Sequence, residues 1–198
     1  MSTDTVEIES RPPRRKPESL SKLRRAARKL FVERGYHATR PQDIAREAGL
    51  GHGTFYLHYP DKRACFLAFV EEARTELDEF VRTRLKPDQG LEEVIAGTLH
   101  AIYDYMESHP GVLGAAMTDE AVIDAEGAQA VPLLARWGAD WANIVRVATK
   151  NDSYDAEIIG QAIVGAIHQA ASGGQRLGRS PDAVVKNLTR FLVRALKP

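Results

Sequence analysis

The sequence predicts an all-α protein of about nine helices. Three observations carry this. Apolar residues recur at spacings of three and four through most of the 198 residues. No run of four or more residues alternates as a strand would. Ser, Thr, Asp, Gly and Pro stand where helices start and stop. Apolar residues make up 43% and charged residues 27%, ordinary for a globular protein. The length suits one sizeable core, or a small domain plus a larger one.

Residues 1–17 contain three prolines and little that is apolar, which predicts a disordered basic arm. Ser19 can cap a first helix from Leu20 to about Arg34, with Leu20, Leu23, Ala27, Leu30 and Phe31 as its stripe and Gly35 as its end. Thr39 can cap a second through Glu47, with Gln42 completing a capping box and Pro41 in the first turn. Gly49 stops it. The third is short, about His52 to Tyr59, and Pro60 blocks its extension. Asp61 caps a fourth to about Leu85, striped by Phe66, Val70, Ala73, Leu77, Phe80 and Val81. Further helices are expected at about 91–108, 111–124, 128–150, 154–172 and 181–196. The last has Ser180 as cap and Pro181 at its first position.

The net charge of zero hides an asymmetry. Residues 1–66 hold fourteen Lys/Arg against eight Asp/Glu; residues 67–198 hold thirteen against nineteen. Between Arg11 and Lys29 nine basic residues face one acid, Glu18. A basic end on an otherwise acidic chain fits a polyanion at that end, and equally a solvated tail running into a helix face.

Two helices joined by a tight glycine turn, "PQDIAREAGLGHGTFYLHY", read as a helix-turn-helix. Ile44, Ala45 and Ala48 are expected to pack against Phe55 and Leu57. A helix as short as the third is not stable alone, so its neighbours must hold it and leave its other residues facing outward. Gly51 and Gly53 clear the way for backbone N–H groups to approach a phosphate. His52, Thr54, Tyr56 and His58 are short or planar donors suited to phosphates and base edges, and Lys62 can add a charge. The segment is therefore expected to be a recognition helix for double-stranded DNA.

The stretches "AARKLFVERGYHAT" and "DIAREAGLGHGTFYLHYPDK" resemble the N-terminal domain of TetR-type bacterial transcriptional regulators, over Leu23 to Leu67. The resemblance implies phosphate contacts for Thr54, Tyr56 and Lys62, base-edge positions for His52 and Gly53, and a backbone-proximal role for His58. Two residues depart from the family pattern. Arg40 stands where a threonine is common, which permits a charged phosphate bond or a guanine contact. Gly51 replaces the usual serine and weakens the cap. Gln42 and Gly51 complete the expected DNA-facing set.

The resemblance also implies that residues 18–66 form the DNA-binding domain and 67–198 a helical ligand-binding and dimerisation domain. Ile159, Ile163, Ala166, Ile167 and Ala170 form one stripe there, and Val184, Leu188, Phe191, Leu192 and Ala195 another. Two such helices from each of two subunits would make a four-helix interface of a homodimer, or the stripes are ordinary intrachain core. Pocket candidates for a small organic ligand are Tyr103, Met106, Met117, Trp137, Trp141 and His168, each also readable as core or surface.

Rival classes leave little trace. No paired-histidine zinc motif, phosphate loop or nucleophile elbow occurs, so no catalytic residue, metal site or cofactor is expected. The lone Cys65 cannot form an intrachain disulfide. No window approaches the roughly eighteen uncharged apolar residues of a membrane span. The N-terminus lacks the order of a secretory signal. The expectation is a cytoplasmic, nucleoid-associated repressor released from a pseudo-palindromic operator by a small ligand. The alternatives are a DNA-binding protein controlled by a protein partner, and a small helical enzyme.

Overall fold

The structure is a computed structural model, and it describes residues 16–86, 88–117, 133–149 and 155–196. The described residues form nine helices and no strand. These are α1 (Lys16–Ala38), α2 (Pro41–Glu47), α3 (His52–Tyr56), α4 (Lys62–Arg82), α5 (Leu91–Ser108), α6 (Val112–Met117), α7 (Leu133–Thr149), α8 (Ala156–Arg176) and α9 (Pro181–Leu196). Most of the expected arm lies outside the described residues, as do the ends of the helices expected at 111–124 and 128–150. None of the described helices is long and apolar enough to cross a membrane.

Several boundaries shift for physical reasons. α1 begins at Lys16, ahead of Ser19, because Pro17 fits a first helical turn. It runs past Gly35, which interrupts the helix with φ 76° and ψ 173°. Thr39 does not cap α2. Its buried hydroxyl donates back to the carbonyls of Gly35, at 2.8 Å, and Leu30, at 3.2 Å. The cap position falls to Arg40, whose side chain makes no capping bond. Asp61 caps α4 as expected, accepting from Ala64 N–H at 2.7 Å. Ser180 accepts from Ala183 N–H at 3.3 Å at the start of α9.

Three apolar clusters organise the chain. The first joins α1, α2 and α3 to the front half of α4 and to α6: Leu23, Phe31, Ile44, Phe55, Phe66, Phe69, Val112 and Ala116 meet there. The second joins α5, α7, α8 and α9 through Ile95, Trp141, Val145, Ile163, Val185 and Leu192. The third is small, with Leu77, Tyr105 and Leu113 at the junction between the other two. α4 and α6 both contribute to the first and third, so the N-terminal unit meets the rest through these two helices.

Close approach of α7 and α8 depends on glycine. A Cβ on Gly160 would overlap the carbonyl oxygen of Gly138 and stand 2.8 Å from Ala142 N. Both obstacles are backbone and cannot rotate away. Gly160→Ala should therefore destabilise the protein by about 1–3 kcal/mol, although alanine is the better helix former. Chemical denaturation of the two proteins checks this, and an unchanged midpoint would refute the packing.

Cys65 is buried against the first cluster at 1% exposure. Burial pushes its thiol up to about 12. The reactive form is the thiolate, so native protein at pH 8 is expected to resist an aromatic disulfide reagent and to react with it fully once denatured.

Candidate nucleic-acid interface and ligand cavity

The helix-turn-helix is locked from beneath. Ile44 and Phe55 are both at 0% exposure and Ala45 is at 1%. Gly49, with φ 67°, supplies the left-handed residue that the turn after α2 needs. Leu50 N–H bonds to the Ala45 carbonyl at 2.9 Å and closes that turn. Tyr59 packs its ring 5.6 Å from that of Phe55 and keeps α3 against the cluster. Leu57 does not join the packing expected of it. At 76% exposure it stands on the outer surface, since α3 ends at Tyr56 and the chain turns there.

Most of the residues expected to touch DNA stand at the surface. His52, Gly53, Tyr56, Arg40, Gln42 and Gly51 are exposed, and Thr54 is half-buried. The His52 and Tyr56 rings meet edge to face at 5.2 Å, one helical turn apart, so they present as a pair.

Two of the expected contacts are also internal struts. His58 Nε2 and Ser19 Oγ are 2.8 Å apart, which ties the residue after α3 to the start of α1. Lys62 donates to the Tyr36 carbonyl at 2.9 Å and lies 4.1 Å from the centre of its ring. An ammonium has three donors, so the same group can hold that turn and a phosphate oxygen together. Lys29 pairs with Glu47 at 2.6 Å and fixes α1 to α2.

Behind α4 lies a cavity of about 410 Å³, walled by α4, α5, α6, α7 and α8. Its lining is mostly carbon: Leu77, Ile102, Leu113, Trp137, Trp141 and Ile144 are typical. Of the residues expected there, Met106, Met117, Trp137, Trp141 and His168 line it. Tyr103 does not. Its hydroxyl is buried without a hydrogen-bond partner among the described residues, and its ring packs on the second cluster. Sequence spacing cannot separate Tyr103 from Ile102, since neighbours on a helix point only about 100° apart.

A polar junction links cavity wall to DNA-facing unit. Arg28 of α1 donates from both terminal nitrogens to the two carboxylate oxygens of Glu76 on α4, at 2.5 and 2.7 Å. The Tyr105 hydroxyl of α5 donates to the same carboxylate at 2.9 Å. The Arg28 bond, ahead of the opposing effect of burial, holds the Glu76 carboxyl below its usual range. Burial, then the Glu76 bond, push the Tyr105 phenol up. His109 stacks on the Tyr105 ring at 4.3 Å. Tyr105 itself packs with Leu77, Leu113, Ile102 and Trp137, all of which line the cavity.

Residues 23–69 match the family model described as bacterial regulatory proteins, tetR family. That segment, α1 to the start of α4, carries the family's N-terminal domain. Among curated relatives, the HTH-type transcriptional activator FasR of Mycolicibacterium smegmatis is 31% identical over 82 residues, which are 41% of this chain and 37% of FasR. The uncharacterized HTH-type transcriptional regulator YuxN of Bacillus subtilis is 41% identical over 44 residues, 22% of this chain and 15% of that protein. The similarity thus spans well under half the length of either relative.

Solved structures resemble the chain along nearly all its length. A TetR-like transcriptional regulator from Rhodococcus sp. RHA1 has a TM-score of 0.69 at 22% identity, covering 94% of this chain and 98% of its own. The fatty acid degradation regulator FadR from Bacillus halodurans has a TM-score of 0.69 at 16% identity, covering 93% and 96%. These likenesses show the fold.

The Arg28–Glu76–Tyr105 junction escaped the reading of the sequence. Arg28 looks like one more cation in a basic helix, and its partner is 48 residues away. Less of the two expected stripes faces outward than their spacing suggests. Ile163, Ile167, Leu188 and Leu192 are buried in the chain's own core, and Ile159, Ala170 and Val184 are half-buried. Phe191, at 62% exposure, and Ile158, at 65%, remain outside beside a shallow apolar groove between α8 and α9.

Proposed function

We propose that this chain is a sequence-specific transcriptional regulator of the tetR family, a repressor that a small organic ligand releases from a pseudo-palindromic operator. One observation carries the reading. A helix-turn-helix with exposed donors is joined, through α4, α6 and a three-residue polar junction, to an apolar cavity large enough for a small molecule. Residues 18–66 act as the DNA-binding unit, and residues 67–198 hold the ligand and the dimer contact. Arg40, Gln42, Gly51, His52, Gly53, Thr54, Tyr56, His58 and Lys62 face the duplex. Thr54, Tyr56 and Lys62 take phosphate, and His52 lies near base edges.

The second subunit docks on the exposed α8–α9 face, where Phe191 and the groove beside Ile159 leave apolar surface uncovered. Control by a protein partner in place of a small ligand has less support, because a solid core would then serve as well as a cavity. No described residues form a cluster of three or more potential metal ligands.

Selection of bound duplexes from a random DNA pool tests the reading. Enrichment of a two-fold sequence with half-sites about 34–36 Å apart is expected of a dimer reading successive major grooves. Enrichment of nothing over the starting pool would refute it.

A further inference from the structure

The charges around the cavity say what kind of ligand it can take. The charged side chains lining it, among the described residues, are Asp78, Arg82 and Asp140. Arg82 is already engaged one turn back, donating three bonds of 2.7–3.1 Å to the carboxylate of Glu79. His168 supplies an imidazole, a hydrogen-bonding group and not a fixed charge. One oxygen of Asp78 accepts from Arg74 at 2.7 Å. Asp140 has no ion pair among the described residues and is exposed at the edge of the lining.

The balance at this edge is negative. Glu71 takes up both Arg74, at 3.0 Å, and Arg136, at 2.5 Å, and Arg74 also serves Asp78, so two guanidinium groups pair with two carboxylates and Asp140 adds a further negative charge. Burial, and behind it the charge of Asp140, keep the Asp78 carboxyl above its usual range in spite of Arg74 and the adjacent Trp137. An apolar molecule ending in a carboxylate would bring a further negative charge to this edge, where the one cation among the described lining residues, Arg82, is paired with Glu79. A molecule ending in an ammonium group would find Asp140 open and the Asp78 carboxylate beside the same lining. It would also meet the indoles of Trp137 and Trp141, whose faces attract cations.

We propose that the cavity takes an apolar ligand bearing a basic amine, recognised by Asp140 and Asp78, and disfavours apolar carboxylates of the same length. The proposal rests on reading this cavity as the ligand site. It separates this chain from what the name of the Bacillus halodurans neighbour, a fatty acid degradation regulator, would suggest.

The test uses the full chain and a neutral fluorescent probe, N-phenyl-1-naphthylamine, whose emission rises in apolar surroundings. Uptake of the probe, abolished by the cavity-filling Ile144→Trp, reports occupancy of this cavity. Decylamine and decanoate then compete for it below their micelle concentrations at pH 7.5. Decylamine should displace the probe at a concentration about tenfold lower, the factor that 1.4 kcal/mol represents. Asp140→Asn, at an exposed position, should shrink that gap several-fold while probe affinity stays the same. Equal displacement by the two, or better displacement by decanoate, overturns the proposal and leaves the cavity as the ligand site. So does a gap that neither Asp140→Asn nor Asp78→Asn changes. A protein that takes up no probe, or whose Ile144→Trp variant takes it up equally, overturns the cavity reading and the proposal with it.

Discussion

Replacing Arg40 with alanine and Tyr56 with phenylalanine should together weaken operator binding about a hundredfold while leaving the fold intact. Both side chains are exposed, Tyr56 at 49%, and neither contributes to the buried cluster. A hydrogen bond to a charged partner is worth about 1.5–3 kcal/mol, so each loss should cost roughly tenfold or more in affinity. The two changes separate by salt. If Arg40 holds a phosphate, Arg40→Ala should flatten the dependence of log affinity on log salt by about one unit, whereas Tyr56→Phe should leave the slope alone. Fluorescence anisotropy across a salt series reads both. Phe55→Ala is the contrasting change. Phe55 is at 0% exposure, and losing it should cost about 3–5 kcal/mol of stability, so DNA binding would fail because α3 no longer has a platform.

Tyr105→Phe should uncouple ligand from DNA more than it alters either binding event alone. The ring stays where it packs among Leu77, Leu113 and Ile102, and only the hydroxyl that reaches Glu76 is lost. Coupling between sites in such proteins is typically about 1–3 kcal/mol, or 5–150-fold, and a large part of it should vanish. Glu76→Gln should go further. It removes the charge that Arg28 grips with two bonds and leaves the guanidinium without its carboxylate. The same pair makes the junction acid-sensitive. Glu76 has a depressed folded value, so its stabilising contribution is present at neutral pH and fades as pH falls through that value. Titrating an inducer found by screening into each variant, with and without operator, measures the loss. Wild-type coupling in Tyr105→Phe would show that the hydroxyl carries none of it.

The N-terminal unit was readable from the sequence because its signals are local. Ile44, Ala45 and Phe55 fall at helical spacing, Gly49 marks the turn, and Asp61 and Pro60 mark the next start; each acts within a few residues. Thr39 misled because a threonine two residues before a Pro-led helix looks like a cap. Its hydroxyl instead satisfies the carbonyls that the kink at Gly35 leaves open. The cavity was legible only in part. Trp137 and Trp141 share a face four residues apart, but the sequence holds nothing that says whether a face meets space or another side chain. The ion pairs that matter most join residues 48 and 65 positions apart, Arg28 with Glu76 and Arg136 with Glu71. Such pairs depend on how helices cross, and no local spacing encodes that.

The central claim is that cavity and duplex compete through α4, with the Arg28–Glu76–Tyr105 junction as the link. A ligand can release DNA only by binding better to a form with a different spacing of the recognition helices. The coupling must also be reciprocal. Calorimetric titration of a releasing compound into the free protein and into its complex with the selected operator tests this most directly. The account predicts weaker ligand binding in the complex, by the same factor by which saturating ligand weakens operator binding. Equal ligand affinity in the two titrations would contradict it.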